Sequence, residues 1–278
     1  MELWQAVVLG IVEGLTEFLP VSSTGHLTIA EGLMGLKVND PAITAYSVVI
    51  QSGAIAAVLV YFFKDIVRIT AAFFRGLFNA RARQDFDYKF GWYIIAGSIP
   101  IVIVGVLGKD IIKGPLRSLW VVAIALILWS GVMWFAEYAA THQRSEKQLK
   151  LKDTVIIGLA QCVALIPGVS RSGATISAGL LRDLDRVTAT RLSFFLGIPA
   201  LVGGGIYEFD EVFKSDIGVA PIVVGTVVSF GVAYASVAWL LKFVAGHSIA
   251  VFVWYRIGLG VLIMILLGTG AISSTGAA

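Results

Sequence analysis

The chain has 278 residues, of which 58% are hydrophobic and only 14% charged, with a formal net charge of +3. Its mean hydropathy of +0.87 is too high, and its polar cover too sparse, for a soluble globule, so the composition reads as an integral membrane protein. The basic excess is small and forms no stripe with interleaved aromatics, which argues against nucleic-acid binding.

The chain opens at Met1-Glu2-Leu3 with no basic residue ahead of its first apolar run. It therefore lacks the positive leader of a signal peptide, and the run is expected to stay in the mature protein. That run contains Gly10-Ile-Val-Glu-Gly-Leu-Thr-Glu-Phe-Leu-Pro-Val-Ser-Ser-Thr-Gly-His26, which sets carboxylates, hydroxyls and an imidazole in apolar surroundings. Ionisable groups in such places are costly and mark function. Glu13 and Glu17 stand four residues apart, so on a helix both project from one face. Two like charges there need a cation, an arginine or a shared proton. A hard divalent ion with oxygen ligands, Mg²⁺ or Ca²⁺, suits Glu13 and Glu17 as metal ligands. Pro20 and Gly25 break the helical run. Beyond the break, Ser22, Ser23 and Thr24 are natural helix caps and phosphate donors, and a hydroxyl or the His26 imidazole can act as nucleophile or acid/base.

Apolar runs of roughly 17 to 25 residues, long enough to cross the hydrocarbon layer, follow near 42–63, 92–108, 119–138, 190–207, 218–241 and 251–270. They give six spanning helices; nothing shows the short alternating segments of a membrane barrel. Basic residues gather in three connecting segments. These hold Lys64, Arg68, Arg75, Arg81, Arg83 and Lys89; then Arg144, Lys147, Lys150 and Lys152; then Arg182, Arg186 and Arg191. The positive-inside rule makes all three cytoplasmic. The opposite loops carry only Lys37, then Lys109, Lys113 and Arg117, then Lys214, so both termini are expected outside.

The second polar stretch runs from Gly158 through Gln161 and Cys162 to Pro167-Gly-Val-Ser-Arg-Ser-Gly-Ala-Thr175. Cys162, the only cysteine, excludes an intramolecular disulfide and reads as a small buried apolar residue. Gly168 and Gly173 let backbone amides approach an anion, and Ser170, Ser172 and Thr175 add donors. Arg171 completes an oxyanion clamp, with Gln161 as a polar partner. At a constant spacing of 148 residues, Gly10, Glu13, Ser22 and Gly25 match Gly158, Gln161, Ser170 and Gly173.

Six spans already satisfy the alternation of loops. Each polar stretch should therefore enter and leave by one face as a re-entrant hairpin, broken by Pro20 and Gly25 in one case and by Pro167, Gly168 and Gly173 in the other. The expected fold is an all-α polytopic membrane protein. It combines six transmembrane helices and two re-entrant helical hairpins in an inverted-topology repeat, with halves of about 1–138 and 154–278 joined by a basic cytoplasmic linker, 139–153. Arg256, inside the last span, reads more readily as an internally paired structural residue than as a functional one, and His142 and His247 as solvated loop residues.

Glu13-Gly-Leu-Thr-Glu17, Pro20-Val-Ser-Ser-Thr-Gly-His26 and Pro167-Gly-Val-Ser-Arg-Ser-Gly-Ala-Thr175 resemble the signature motifs of the bacterial undecaprenyl-pyrophosphate phosphatases, the bacitracin-resistance family. The resemblance implies a hydrolase that removes the terminal phosphate of the undecaprenyl diphosphate carrier, returning undecaprenyl phosphate to peptidoglycan and envelope polymer synthesis. It also implies a divalent-cation requirement and a multi-pass protein of the cytoplasmic (inner) membrane whose site opens outward. Carried onto this chain, Glu13 and Glu17 form the acidic motif, Ser23 and His26 are the nucleophile and acid/base candidates, and Ser170, Arg171, Ser172 and Thr175 are the clamp. The residues leave open which of Ser23 and His26 attacks phosphorus. The expected partners are the isoprenoid lipid diphosphate and membrane lipids; homodimer formation is left open. The rival reading is a transporter or flippase that grips a lipid phosphate with the same clamp. An acid-phosphatase type site lacks its second histidine, and an intramembrane serine protease has no use for the arginine and the acidic pair.

Overall fold

The computed structural model describes the whole chain except residues 37–39, 109–110, 113–115, 117, 214–216, 271 and 273–278; side chains of 206–213 are also outside the description. Lys37, Lys109, Lys113, Arg117 and Lys214, the sparse basic residues of the expected outer loops, all lie outside the described residues. Those described form eleven α-helices: α1 (Leu3–Thr16), α2 (Ser23–Leu33), α3 (Pro41–Tyr61), α4 (Phe63–Phe78), α5 (Phe86–Leu107), α6 (Leu119–Ala139), α7 (Leu151–Val163), α8 (Arg171–Leu180), α9 (Arg186–Phe213), α10 (Val219–Gly246) and α11 (Ala250–Gly268). Local chemistry sets several starts. Asp40, Asp85 and Ser118 accept hydrogen bonds from the backbone amides of Ala42, Asp87 and Trp120 and so cap α3, α5 and α6.

Six helices are long and apolar enough to cross a bilayer: α3, α5, α6, α9 as far as Gly205, α10 and α11. They coincide with the six apolar runs, and the protein is a multi-pass membrane protein. Two differences from the sequence reading are instructive. α5 starts at Phe86, ahead of its apolar run, because Asp85 caps a polar first turn. The segment after the first span, expected as a connecting loop, contains α4, which begins as soon as Phe62 ends α3. α4 buries Ile69, Ala72 and Gly76 against α5 while Arg68 pairs with Asp65 and Asp87. It is an amphipathic helix whose charged face masks it in a hydropathy scan.

The two polar stretches each form helix, break and helix. α1 and α2 have 14 and 11 residues, α7 and α8 have 13 and 10. At 1.5 Å per residue none exceeds about 21 Å, short of the roughly 30 Å hydrocarbon layer. At each break a serine takes left-handed backbone, Ser22 at φ 76° and Ser170 at φ 75°. α1 packs on α10 and α7 packs on α5, so each broken pair leans on a helix from the other half of the sequence. Small residues permit this. A Cβ on Gly10 would come within 2.6 Å of the Gly225 carbonyl oxygen, and one on Gly158 within 1.9 Å of the Gly97 carbonyl oxygen.

The three basic segments meet at one end of the bundle. Arg191 bonds Glu146 at 2.8 Å and Asp65 at 3.2 Å, Arg182 bonds Asp153 at 2.9 Å, and Arg144 bonds Asp153 at 2.5 Å. Arg186 pairs with Glu137. These shared carboxylates place 64–91, 139–153 and 182–191 on the same side. Cys162, expected as a small buried residue, is only half-buried.

Candidate active site

The two breaks meet. Glu17 sits at the C-terminal end of α1, where its amide still bonds the Glu13 carbonyl. Its Oε2 accepts hydrogen bonds from the Ser23 hydroxyl at 2.7 Å and the Gln51 amide at 3.3 Å. Its Oε1 accepts from Arg171 Nη2 at 3.3 Å. One carboxylate thus joins the first break, the second break and span α3. Arg171 is held from the other side by the Ser193 carbonyl at 3.0 Å and lies 5.8 Å over the Phe18 ring. Both members of the Glu17–Arg171 pair are largely shielded from water, with side-chain exposures of 5% and 10%. The pairing is strong enough to balance both charges yet within reach of an incoming anion.

Around this pair lies a cavity of about 250 Å³. The first break contributes Glu17, Ser22, Ser23 and Thr24; the second contributes Gly168, Ser170 and Arg171. Residues at the N-terminal ends of α2 and α8 therefore face one space. First-turn amides of a helix have no intrahelical acceptor and carry the positive end of its dipole, so two such ends suit a dianionic or trianionic ligand. Gln51 completes the polar lining, and Ile101, Leu165 and Leu201 supply apolar wall.

The remaining sequence-expected site residues stand behind this lining. Ser172 donates to the Leu19 carbonyl at 2.9 Å, tying the two breaks together, and its hydroxyl is 3.1 Å from that of Ser170. The Gly173 amide donates to the Ser170 hydroxyl at 3.2 Å, the cap of α8. Thr175 donates to the Arg171 carbonyl at 2.8 Å and lies 2.7 Å from the Ser193 hydroxyl. These three build the clamp without lining the cavity. His26 also lies outside the lining. One ring nitrogen is 2.7 Å from the Ser22 carbonyl, so that nitrogen donates; the other is 2.6 Å from the Tyr255 hydroxyl, and the two rings stack.

Glu13 is buried, and neither carboxylate oxygen has a hydrogen-bond partner among the described residues; the same holds for both polar atoms of buried Gln161. Among the described residues no three His, Cys, Asp or Glu side chains cluster as a metal site. The chemistry still fits a cation. Arg171 already balances Glu17, and one turn below it Glu13 is left as a buried carboxylate in want of a proton or a positive ion.

Sequence reasoning overlooked Gln51, Ser193 and Gly197. A glutamine inside an apolar span was a usable signal for the first; nothing local marks the other two, which matter only because Arg171 packs on them. Arg256 reads from the sequence as structural, and it lies outside the cavity lining.

Comparison with known proteins adds an independent line. The family model of the bacitracin resistance protein BacA matches residues 6–262, which contain both breaks. The chain is 62% identical over 270 residues to undecaprenyl-diphosphatase 1 of Streptomyces avermitilis, covering 97% of this chain and 98% of that protein. It is 60% identical over 271 residues to undecaprenyl-diphosphatase 1 of Streptomyces coelicolor, with the same coverage. Against undecaprenyl-diphosphatase 1 of Frankia alni it is 58% identical over 271 residues, covering 97% and 98% of the two chains.

Proposed function

Because the chain belongs to the bacitracin resistance protein BacA family, we propose that the cavity between the two breaks is the active site of an undecaprenyl-diphosphatase. The protein hydrolyses undecaprenyl diphosphate to undecaprenyl phosphate and inorganic phosphate, which returns the carrier to envelope polymer synthesis and supports bacitracin resistance. The observation that carries the site assignment is the carboxylate of Glu17, bonded at once by Ser23 and Arg171 across 154 residues of sequence.

The diphosphate replaces Glu17 as the partner of Arg171. The first-turn amides of α2 and α8 and the hydroxyls of Ser22, Thr24 and Ser170 hold its oxygens. Released from Arg171, the Glu17 carboxylate takes the proton of Ser23 as that oxygen attacks the terminal phosphorus. The bond from phosphorus to the bridging oxygen breaks, and lipid monophosphate leaves. Water then hydrolyses the phosphoserine. In this reading Ser23 is the nucleophile, supported by its hydrogen bond to Glu17 and by the engagement of His26 with Tyr255 and the Ser22 carbonyl; His26 steadies Ser22. A hard divalent cation, Mg²⁺ or Ca²⁺, bound by Glu13 with Glu17, would neutralise phosphate charge, and Gln161 is a further polar group for that end of the site.

The same reading takes α1–α2 and α7–α8 as re-entrant hairpins in two inverted repeats, about 1–138 and 154–278, of one membrane domain. Support comes from the short half-helices, the left-handed serines at equal spacing and the reciprocal packing of α1 on α10 and α7 on α5. With the joined basic segments facing the cytoplasm, both termini and the cavity face outward across the inner membrane.

The test incubates purified protein in detergent with undecaprenyl or farnesyl diphosphate and measures inorganic phosphate, with and without chelator. Release that chelator abolishes and Mg²⁺ or Ca²⁺ restores is the expected result, and Glu13→Gln should raise the cation concentration required at least tenfold. No release by the wild type, with lipid movement between leaflets of a vesicle, would replace the phosphatase reading with that of a flippase.

A further inference from the structure

Arg256 lies within α11, in its N-terminal half, and is 0% exposed, the largest fully buried side chain described. Among the described residues none of its hydrogen bonds goes to a carboxylate. A buried guanidinium with no counter-ion is expensive, and packing alone would be served by methionine. Its hydrogen bonds run elsewhere. Nε donates to the Ser130 hydroxyl at 3.2 Å, Nη1 to the Pro20 carbonyl at 3.2 Å, and Nη2 to the Gly168 carbonyl at 2.9 Å and the Leu126 carbonyl at 3.4 Å. Two of these acceptors are equivalent. Pro20 and Gly168 are separated by the same 148 residues as Ser22 and Ser170, and each precedes its left-handed serine by two positions.

The geometry points to Arg256 as the positioning residue of the reaction, a single clasp on both breaks. Carbonyls at a break have lost their helical donors, and at this depth water does not replace them. One planar guanidinium, with donors in a fixed fork, satisfies one from each side and fixes their separation. It thereby holds Ser22 and Ser170 in the left-handed region, an arrangement disfavoured by about five- to thirtyfold per residue for anything but glycine. Ser22 and Ser170 line the cavity, and each directly precedes a site residue, Ser23 or Arg171. Arg256 is not itself among the lining residues; it bonds the backbone of one of them, Gly168, and acts through these backbones.

This inference rests on the phosphatase reading, and its test separates the two. Purified full-length wild type, Arg256→Gln, Arg256→Lys, Ser22→Gly and the double variant Arg256→Gln with Ser22→Gly are assayed for phosphate release from farnesyl diphosphate. Melting and size-exclusion profiles are recorded for each. Arg256→Gln should lower kcat roughly 100-fold, and Arg256→Lys, which reaches one carbonyl only, by an intermediate factor. Glycine adopts positive φ without strain. In the Ser22→Gly background the Arg256→Gln penalty should therefore shrink to about tenfold or less. An undiminished penalty in that background would mean that Arg256 merely packs the core and would overturn the inference, as would full activity of folded Arg256→Gln. Should Arg256→Gln fail to fold, the same cycle is run with Arg256→Lys. An inactive wild type would instead overturn the phosphatase reading.

Discussion

Gly197 offers a way to move the clamp without touching a polar group. It lies on α9 against Arg171, and a Cβ built there would sit 1.9 Å from Nη1, 2.6 Å from Cζ and 3.1 Å from Nη2. Ordinary contact begins near 3.4 Å, so in Gly197→Ala the guanidinium must retreat by about 1.5 Å. The obstructing atoms are the end of a flexible side chain, so the backbone can stay. The hydrogen bonds cannot: Arg171 reaches the Ser193 carbonyl at 3.0 Å and Glu17 at 3.3 Å, and a shift of that size breaks one or both. A hydrogen bond to a charged group contributes about 1.5–3 kcal/mol. If that is the clamp's hold on the transition state, kcat/KM should fall by about 10- to 150-fold. Stability should fall by less than those hydrogen bonds contribute, since alanine replacing glycine inside a helix offsets roughly 0.5–1 kcal/mol of the loss. The assay pairs phosphate release from a lipid diphosphate with thermal unfolding of the same preparation. Unchanged kcat/KM in a folded Gly197→Ala protein would refute the positioning argument. So would a loss of activity matched by an equal loss of folded protein.

Three further outcomes follow from the same geometry. Ser23→Ala should reduce turnover by about 10³-fold or more while leaving diphosphate binding within a few-fold, measured by single-turnover phosphate release and equilibrium binding, because only the attacking oxygen is removed. His26→Ala should cost no more than about tenfold in kcat, since its ring supports Ser22 from outside the cavity; a loss as large as that of Ser23→Ala would return His26 to the chemistry. Burial pushes the Asp153 carboxyl up, but hydrogen bonds from Arg144, Arg182 and the Lys150 amide outweigh it and hold the group below the usual carboxylate range. Its contribution to stability is therefore full above the unfolded carboxylate range and lost as pH falls through the lower, folded value. Melting temperature should drop across that acidic window in the wild type and change less in Asp153→Asn, read by thermal scans in detergent from neutral pH downward.

Much of this protein was legible from local pattern. Runs of apolar residues set the six spans because the bilayer fixes their length, and Pro20, Pro167 and Gly168 marked the breaks; Gly25 and Gly173, expected in the breaks as well, lie instead inside the first turns of α2 and α8, where they cause no interruption. The polar residues within those runs announced a site, since each such group is costly in hydrocarbon. Reading α4 as a loop was a failure of the same method, because an amphipathic helix does not raise mean hydropathy. Tertiary structure alone decided which groups share the cavity. Glu17 meets Ser23 through a turn and Gln51 through packing of α1 on α3 within its own half, but meets Arg171 only because two sequence halves close on each other. His26, at an equally suggestive position in its motif, is turned by its place on α2 toward Tyr255. Arg256 read as an internally paired structural residue, and only the folded chain sets its donors on equivalent carbonyls of both breaks. A motif specifies which chemistry is affordable at a position; the direction each side chain takes is set by contacts between helices far apart in sequence.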